Sequence, residues 1–93
     1  MAVSSAAVTV ATSATLLSAA DTDSVAGQSI YVTNGDAAAV FLGPSGVTTA
    51  NGYSLAAGAS LPWRVDLGIG EALYAVSAAG TSAGAVKVLR TGV

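Results

Sequence analysis

Apolar residues in this chain recur at every second position, and turn-forming residues interrupt them before any run reaches helix length. The clearest stretch is residues 60–67, where Leu, Trp, Val and Leu alternate with Ser, Pro, Arg and Asp. Such alternation is typical of a half-buried strand. It predicts that Trp63 faces the core with the other apolar residues of the stretch. Because Pro62 has no N–H to donate, this strand is expected at the edge of a sheet or to begin near the proline.

Further segments have the same character and are predicted as short strands: residues 7–12, 15–18, 29–33, 38–42, 53–55, 72–77 and 85–90. Turn signals separate nearly all of them, and Asn34-Gly35-Asp36 predicts a hairpin between two apolar runs. Seven or eight short strands at a spacing of roughly 8–12 residues indicate a sandwich or a small barrel. The predicted fold class is all-β, a small antiparallel β-sandwich of jelly-roll type.

The length of 93 residues predicts one domain. Residues 1–6 are mostly small and none is charged, and they are predicted to form a flexible N-terminal arm before a single domain over residues 7–93. Alanine supplies much of the hydrophobic fraction of 53%, and only 9% of residues are charged. A chain with many small side chains and few charges often completes its core against neighbours, so a homo-oligomer is expected.

Several partners and cofactors are not expected from the composition. The chain has no cysteine and no histidine, which removes disulfides and the commonest zinc ligands. Three basic residues and a net charge of −2 cannot form the basic face that nucleic acid or an anionic membrane requires. The longest uncharged stretch, residues 37–63, is interrupted by prolines and glycines and is not expected to span lipid.

The residues that could carry catalysis have simpler interpretations. No histidine is present to activate a serine. Asp66 and Glu71 could form a glycosidase pair, but we interpret them as charges at a hairpin end, with Arg64 as a partner for Asp66. Asp21 and Asp23 could bind calcium, but the stretch lacks the glycine and glutamate of an EF-hand loop and is interpreted as a plain loop. The chain is therefore not expected to be an enzyme or to hold a metal or cofactor.

Tyr53 is the aromatic residue most suited to an exposed binding role. It follows the Asn51-Gly52 turn directly, so it is predicted to be exposed, whereas Trp63 is predicted in the core. An exposed tyrosine can stack on a sugar or anchor a protein partner. Together with loop 43–52, Tyr53 therefore defines a possible receptor- or carbohydrate-binding site.

The segment over residues 40–61, VFLGPSGVTTANGYSLAAGASL, resembles a short module of tailed-bacteriophage virion proteins. In that module a strand ending in glycine leads into G-V-T-x-x-N-G-x-x-L-x-x-G. The later motif A-L-Y-A-V/I-x-A-x-G-T is matched by ALYAVSAAGT at residues 72–81. Residues 14–17 and 30–34 fit the module's first strands, so the resemblance covers about residues 13–89.

The resemblance implies a compact antiparallel β-sandwich and supplies no catalytic or ligand residues. Because a fibre needs a shaft and this sequence carries only the module, it implies a capsid decoration (cement) protein on the outside of a phage head. The expected partners are the major capsid protein and further copies of the chain, with a trimer favoured. A receptor- or carbohydrate-binding module of a fibre or tail is the alternative. The candidate interface residues are Met1, Ala2, Val3, Ser4, Ser5, Tyr53, Pro62 and Arg64.

Overall fold

Two four-stranded antiparallel sheets make up the fold. The computed structural model describes residues 3–18, 28–68 and 71–92. The strands in this part of the chain are β1 (Val3–Val8), β2 (Thr15–Ser18), β3 (Gln28–Asn34), β4 (Val40–Gly43), β5 (Tyr53–Leu55), β6 (Val65–Leu67), β7 (Leu73–Ser77) and β8 (Val86–Gly92). The first sheet has the order β1-β8-β3-β6, and the second has the order β2-β7-β4-β5. Within the same ranges, no helix is long and apolar enough to cross a membrane.

The strand pairing is that of a jelly roll. The first strand pairs with the last, β2 with β7, β3 with β6, and β4 with β5. Such a pattern describes a long two-stranded ribbon that ends in the β4–β5 hairpin. Wrapping this ribbon brings β8 beside β3 and β7 beside β4, which completes both sheets. The predicted all-β sandwich is confirmed.

The core lies between the two sheets and takes side chains from both. Burial alternates along β3, so Ile30 and Val32 face inward while Tyr31 and Thr33 face solvent. Each fully buried Val, Leu or Ile side chain stabilises the fold by roughly 1.5–3 kcal/mol relative to exposure. The apolar cluster consists of Val10, Leu17, Ile30, Val32, Val40, Leu42, Leu55, Leu67, Leu73, Ala75, Val86 and Val88.

The prediction of an unpaired arm over residues 1–6 is wrong for residues 3–6. These residues belong to β1, and Val3 to Val8 pair with Thr91 to Val86 of β8. The strand thus begins earlier than the predicted stretch at residues 7–12. Its partner lies at the far end of the chain, so nothing in the local composition reveals the pairing. Residues 1 and 2 lie outside the described part.

The predicted hairpin at Asn34-Gly35-Asp36 is also wrong. The strands on either side of it lie in different sheets, so the chain crosses from one sheet to the other here. Asn34 is fully buried, and its Nδ2 donates to the carbonyl oxygens of Ala38, Leu55 and Ala56 at 2.9, 3.0 and 3.1 Å. These hydrogen bonds join β3 to the β5 end of the second sheet. The asparagine of a two-residue hairpin turn does not need to connect two sheets in this way.

The predicted strand over residues 60–67 is interrupted. Thr33 pairs with Ser60 and Ile30 pairs with Val65, so three steps along β3 face five steps along this segment. The two extra residues form a bulge, which begins at the residue that lacks an N–H, Pro62. The bulge displaces Trp63 from the inward position that alternation predicts, and its side chain is 71% exposed. The edge position of the strand, β6, is confirmed.

Candidate interaction surfaces

The outer face of β1, β8 and β3 forms a shallow groove of about 440 Å³, here called the outer groove. At its centre, Tyr31 and Leu89 lie directly opposite each other on neighbouring strands, and Ser5 lies opposite Leu89 on β1. The two large side chains are 46% and 40% exposed. The lining residues are Ser5, Ala6, Ala7, Tyr31, Thr33, Lys87, Val88 and Leu89.

The outer groove carries little charge. Lys87 is the charged residue of its lining, and its Nζ donates to the carbonyl oxygen of Gly84 at 2.7 Å. Lys87 lies in β8 and is exposed. The remaining lining combines alanine, valine and small hydroxyl residues around the two large side chains, Tyr31 and Leu89. A surface of this kind loses little hydration when a protein covers it.

A second surface lies where the sandwich is open between the β5 edge and the β6 edge. An apolar cavity of about 270 Å³, here called the edge cavity, is lined by Leu42, Gly43, Tyr53, Leu61, Val65 and Leu73. Tyr53 is 60% exposed at its margin, which confirms the predicted exposure. Among these residues the Tyr53 hydroxyl is the one polar side-chain group. The edge cavity therefore suits an apolar group rather than a polar ligand.

The bulge that carries Trp63 follows Leu61 and precedes Val65, two residues of the edge-cavity wall. The Arg64 guanidinium lies over the Trp63 ring, 5.5 Å from its centroid, in a cation–π contact. Its Nε donates to Asp66 at 3.0 Å, so the predicted Arg64–Asp66 pair is confirmed. The exposed tryptophan is thus held beside an ordered ion pair.

Asp66 is itself fixed from the neighbouring strand. Ser29 on β3 donates its hydroxyl to the Asp66 carboxylate at 2.8 Å. This hydrogen bond is the main reason that the pKa of Asp66 lies below its ordinary value; desolvation opposes it, and Arg64 adds to it. The carboxylate therefore stays ionised and keeps Arg64 in place over the tryptophan ring.

The candidate interface residues predicted from sequence fall at two separate places. One place is the edge cavity: Tyr53 lines it, and Pro62 and Arg64 lie in the bulge beside its wall. Ser5 lines the outer groove, and Val3 and Ser4 lie on the same strand, at the opposite edge of the first sheet from β6. Met1 and Ala2 lie outside the described residues.

At these two surfaces, sequence reasoning missed three exposed side chains, those of Tyr31, Leu89 and Trp63. Tyr31 and Leu89 occupy outward positions in strands whose inward positions are clearly apolar, so alternation could have revealed them. Trp63 could not be found in this way, because its exposure depends on a bulge whose length is set by the pairing with β3.

The acidic residues have structural partners where the structure describes them. Glu71 accepts a hydrogen bond from the backbone N–H of Gly68, across the turn that it follows. Asp36 accepts the backbone N–H groups of Ser82 and Ala38, and the Ser82 bond is the main reason that its pKa is lowered. Within residues 3–18, 28–68 and 71–92, no three acidic residues cluster to hold a metal ion. Asp21 and Asp23 lie outside those ranges.

No protein-family model, no curated protein and no solved structure gives a significant match to this chain.

Proposed function

We propose that this chain is a structural virion protein, a capsid decoration (cement) protein that binds the outside of a phage head. In this role it bridges neighbouring major capsid subunits and stabilises the shell. The observation that carries the proposal is the outer groove, in which Tyr31 and Leu89 are exposed side by side on a sheet face of small residues. The resemblance of residues 40–61 and 72–81 to the phage module supports the same assignment.

The composition of the outer groove favours a protein partner. The centres of protein interfaces are depleted in charge and enriched in aromatic residues, and a few such residues supply most of the binding energy. Tyr31 and Leu89 provide a central pair of this kind. The small residues around them let another backbone approach closely. Since a capsid presents the same surface many times, even a modest contact is repeated over the whole shell.

The candidate interface residues Val3, Ser4 and Ser5 belong to β1 and not to a flexible arm, because residues 3–6 pair with β8. Ser5 instead contributes to capsid binding as one of the residues that line the outer groove. Deleting residues 1–6 would remove most of an edge strand, so it would test folding rather than binding.

The proposal can be tested by adding purified protein to phage heads that lack it and measuring the bound amount. The double substitution Tyr31→Ser and Leu89→Ser is expected to weaken binding by about 10³-fold, since hot-spot residues contribute about 2 kcal/mol or more each. Leu16→Ser is the matched control, because Leu16 is similarly exposed, at 44%, but lies on the second sheet. Equal binding by all three proteins would contradict the proposal.

A receptor- or carbohydrate-binding module is the second candidate, and the exposure of Tyr53 beside loop 43–52 favours it. Sugar recognition needs hydrogen-bonding groups around the stacking ring, and the edge cavity offers only the Tyr53 hydroxyl among its side chains. A glycan array decides between the two candidates. A specific ligand that is lost on Tyr53→Ala would support this second function.

A further inference from the structure

Trp63 is the single tryptophan of the chain and the most exposed large apolar side chain in the described residues. It projects from the bulge between Leu61 and Val65, both of which line the edge cavity, but it is not part of the cavity wall itself. An exposed tryptophan and an open apolar cavity thus lie next to each other on one surface. Contact of either apolar surface with water is unfavourable, and the indole ring and the cavity match each other in size and polarity.

The two strands that border the edge cavity leave it open. β5 and β6 are the edge strands of their sheets, and each is only three residues long. The opposite edge of the first sheet is formed by the longer, six-residue strand β1. Among residues 3–18, 28–68 and 71–92, no segment covers the cavity between β5 and β6.

The groups around Trp63 are held in place before any partner arrives. Ser29 fixes Asp66, Asp66 fixes Arg64, and Arg64 lies over the indole ring. A side chain that is already ordered loses little conformational entropy on binding, and tryptophan and arginine are the residues most often found at interface hot spots. The chain therefore presents an apolar projection with defined polar neighbours beside an open apolar cavity.

We propose that Trp63 of one copy inserts into the edge cavity of a neighbouring copy, so that this surface is the self-association interface of the protein. A second copy is the occupant because the same chain provides both the projection and the cavity, so each copy can offer and receive the contact. No charged side chain lines the cavity, so the indole meets no unpaired charge there. The inference deepens the proposed function by naming the contact between copies on the capsid.

The available area is sufficient for the centre of such an interface. If each aromatic side chain spans about 200 Å², the exposed fractions of Trp63 and Tyr53 amount to roughly 260 Å². A stable interface buries about 800 Å² per partner. The two rings therefore supply about a third of it, and the rest must come from the rim, which includes Pro62 and Arg64.

Intrinsic fluorescence tests the proposal directly, because all tryptophan emission comes from Trp63. As the concentration of the purified full chain rises, we expect the emission maximum to move to shorter wavelength. The mass from light scattering should rise over the same range to a multiple of 8.9 kDa. We expect Trp63→Ala to weaken association at least about 30-fold and Tyr53→Ala to weaken it too, while Leu16→Ala leaves it unchanged.

A monomeric mass and unshifted emission at all concentrations would overturn the proposal, as would association that Trp63→Ala leaves intact. An emission shift that occurs only when phage heads are added would also overturn it and would assign this surface to the capsid. Binding to heads through Tyr31 and Leu89 is measured separately, so the proposed function and this inference can fail independently. Circular dichroism of Trp63→Ala verifies folding, which we expect to be unaffected because the side chain is 71% exposed.

Discussion

Replacing Asn34 by alanine removes the side chain that joins β3 to the second sheet. The substitution deletes the two N–H donors of Nδ2, which are shared among the carbonyls of Ala38, Leu55 and Ala56. It also deletes the bond that Oδ1 accepts from the backbone N–H of Asp36 at 3.0 Å. Asn34 is fully buried, and its bond to Leu55 is buried as well, so water cannot replace that partner without opening the sandwich.

The expected loss of stability is large for a domain of this size. A buried carbonyl without a partner costs about 1–3 kcal/mol, and each of the other hydrogen bonds contributes about 0.5–1.5 kcal/mol. Taking about 2 kcal/mol for the Leu55 carbonyl and about 1 kcal/mol each for the second N–H and for Oδ1 gives a loss of roughly 4 kcal/mol, against a total of about 5–15 kcal/mol for a typical domain. The melting temperature should fall by roughly 16–32 °C, since 1 kcal/mol corresponds to about 4–8 °C at this length.

Two companion variants make the test specific. Asn51→Ala removes an exposed asparagine whose Oδ1 accepts only the backbone N–H of Thr48, and it should cost no more than about 1 kcal/mol. Asn34→Asp places a carboxylate against three carbonyl oxygens, so burial raises its pKa in the folded state. The free energy of unfolding of Asn34→Asp should therefore fall further below that of Asn34→Ala as the pH rises above about 4.

Urea unfolding followed by circular dichroism gives the free energies of unfolding for all four proteins. The proposed role of Asn34 would be refuted if Asn34→Ala and Asn51→Ala agreed within about 0.5 kcal/mol. The role would also be refuted if the free energy of unfolding of Asn34→Asp did not depend on pH and exceeded that of Asn34→Ala. The Nδ2 donor would then have no special function.

Two further predictions concern local contacts. A Cβ at Gly35 would lie 2.7 Å from the carbonyl oxygen of Ala85, so Gly35→Ala should lower the free energy of unfolding by about 1–3 kcal/mol. Gly46→Ala meets no atom within 4 Å and should be neutral or slightly stabilising in the same urea experiment. The lowered pKa of Asp36 in the folded state means that its bond to Ser82 stabilises the fold above about pH 4 and is lost as the pH falls through that region. The melting temperature of Asp36→Asn should therefore fall less steeply than that of the unmodified protein as the pH is lowered. An unchanged slope of melting temperature against pH would contradict this role.

The sequence predicts those elements well whose signal is local. The bounds of β2 and β5 agree with the predicted segments, because each is a short apolar run next to a clear turn. The alternation in β3 identifies its buried face correctly. Tyr53 is exposed as predicted because it follows a turn at the start of a three-residue edge strand.

The errors concern features that depend on distant partners. β1 was not predicted at its true position because it is stabilised by β8, more than 75 positions away, rather than by its own apolar content. Asn34-Gly35 has the sequence of a hairpin turn, but the side-chain amide of Asn34 donates hydrogen bonds to the backbone carbonyls of residues 38, 55 and 56. Trp63 fits the alternating pattern, and only the register of Ser60 and Val65 against β3 places it in a bulge. In each case the deciding contact is made by a part of the chain that local patterning does not include.

The copy number of this chain per virion tests the central claim most directly. Purified particles would be analysed by quantitative mass spectrometry, with the major capsid protein as the internal reference. The proposed decoration role predicts hundreds of copies, in a fixed ratio to the major capsid protein. A few to a few dozen copies would instead indicate a fibre, portal or tail protein, and absence from the virion would contradict the account.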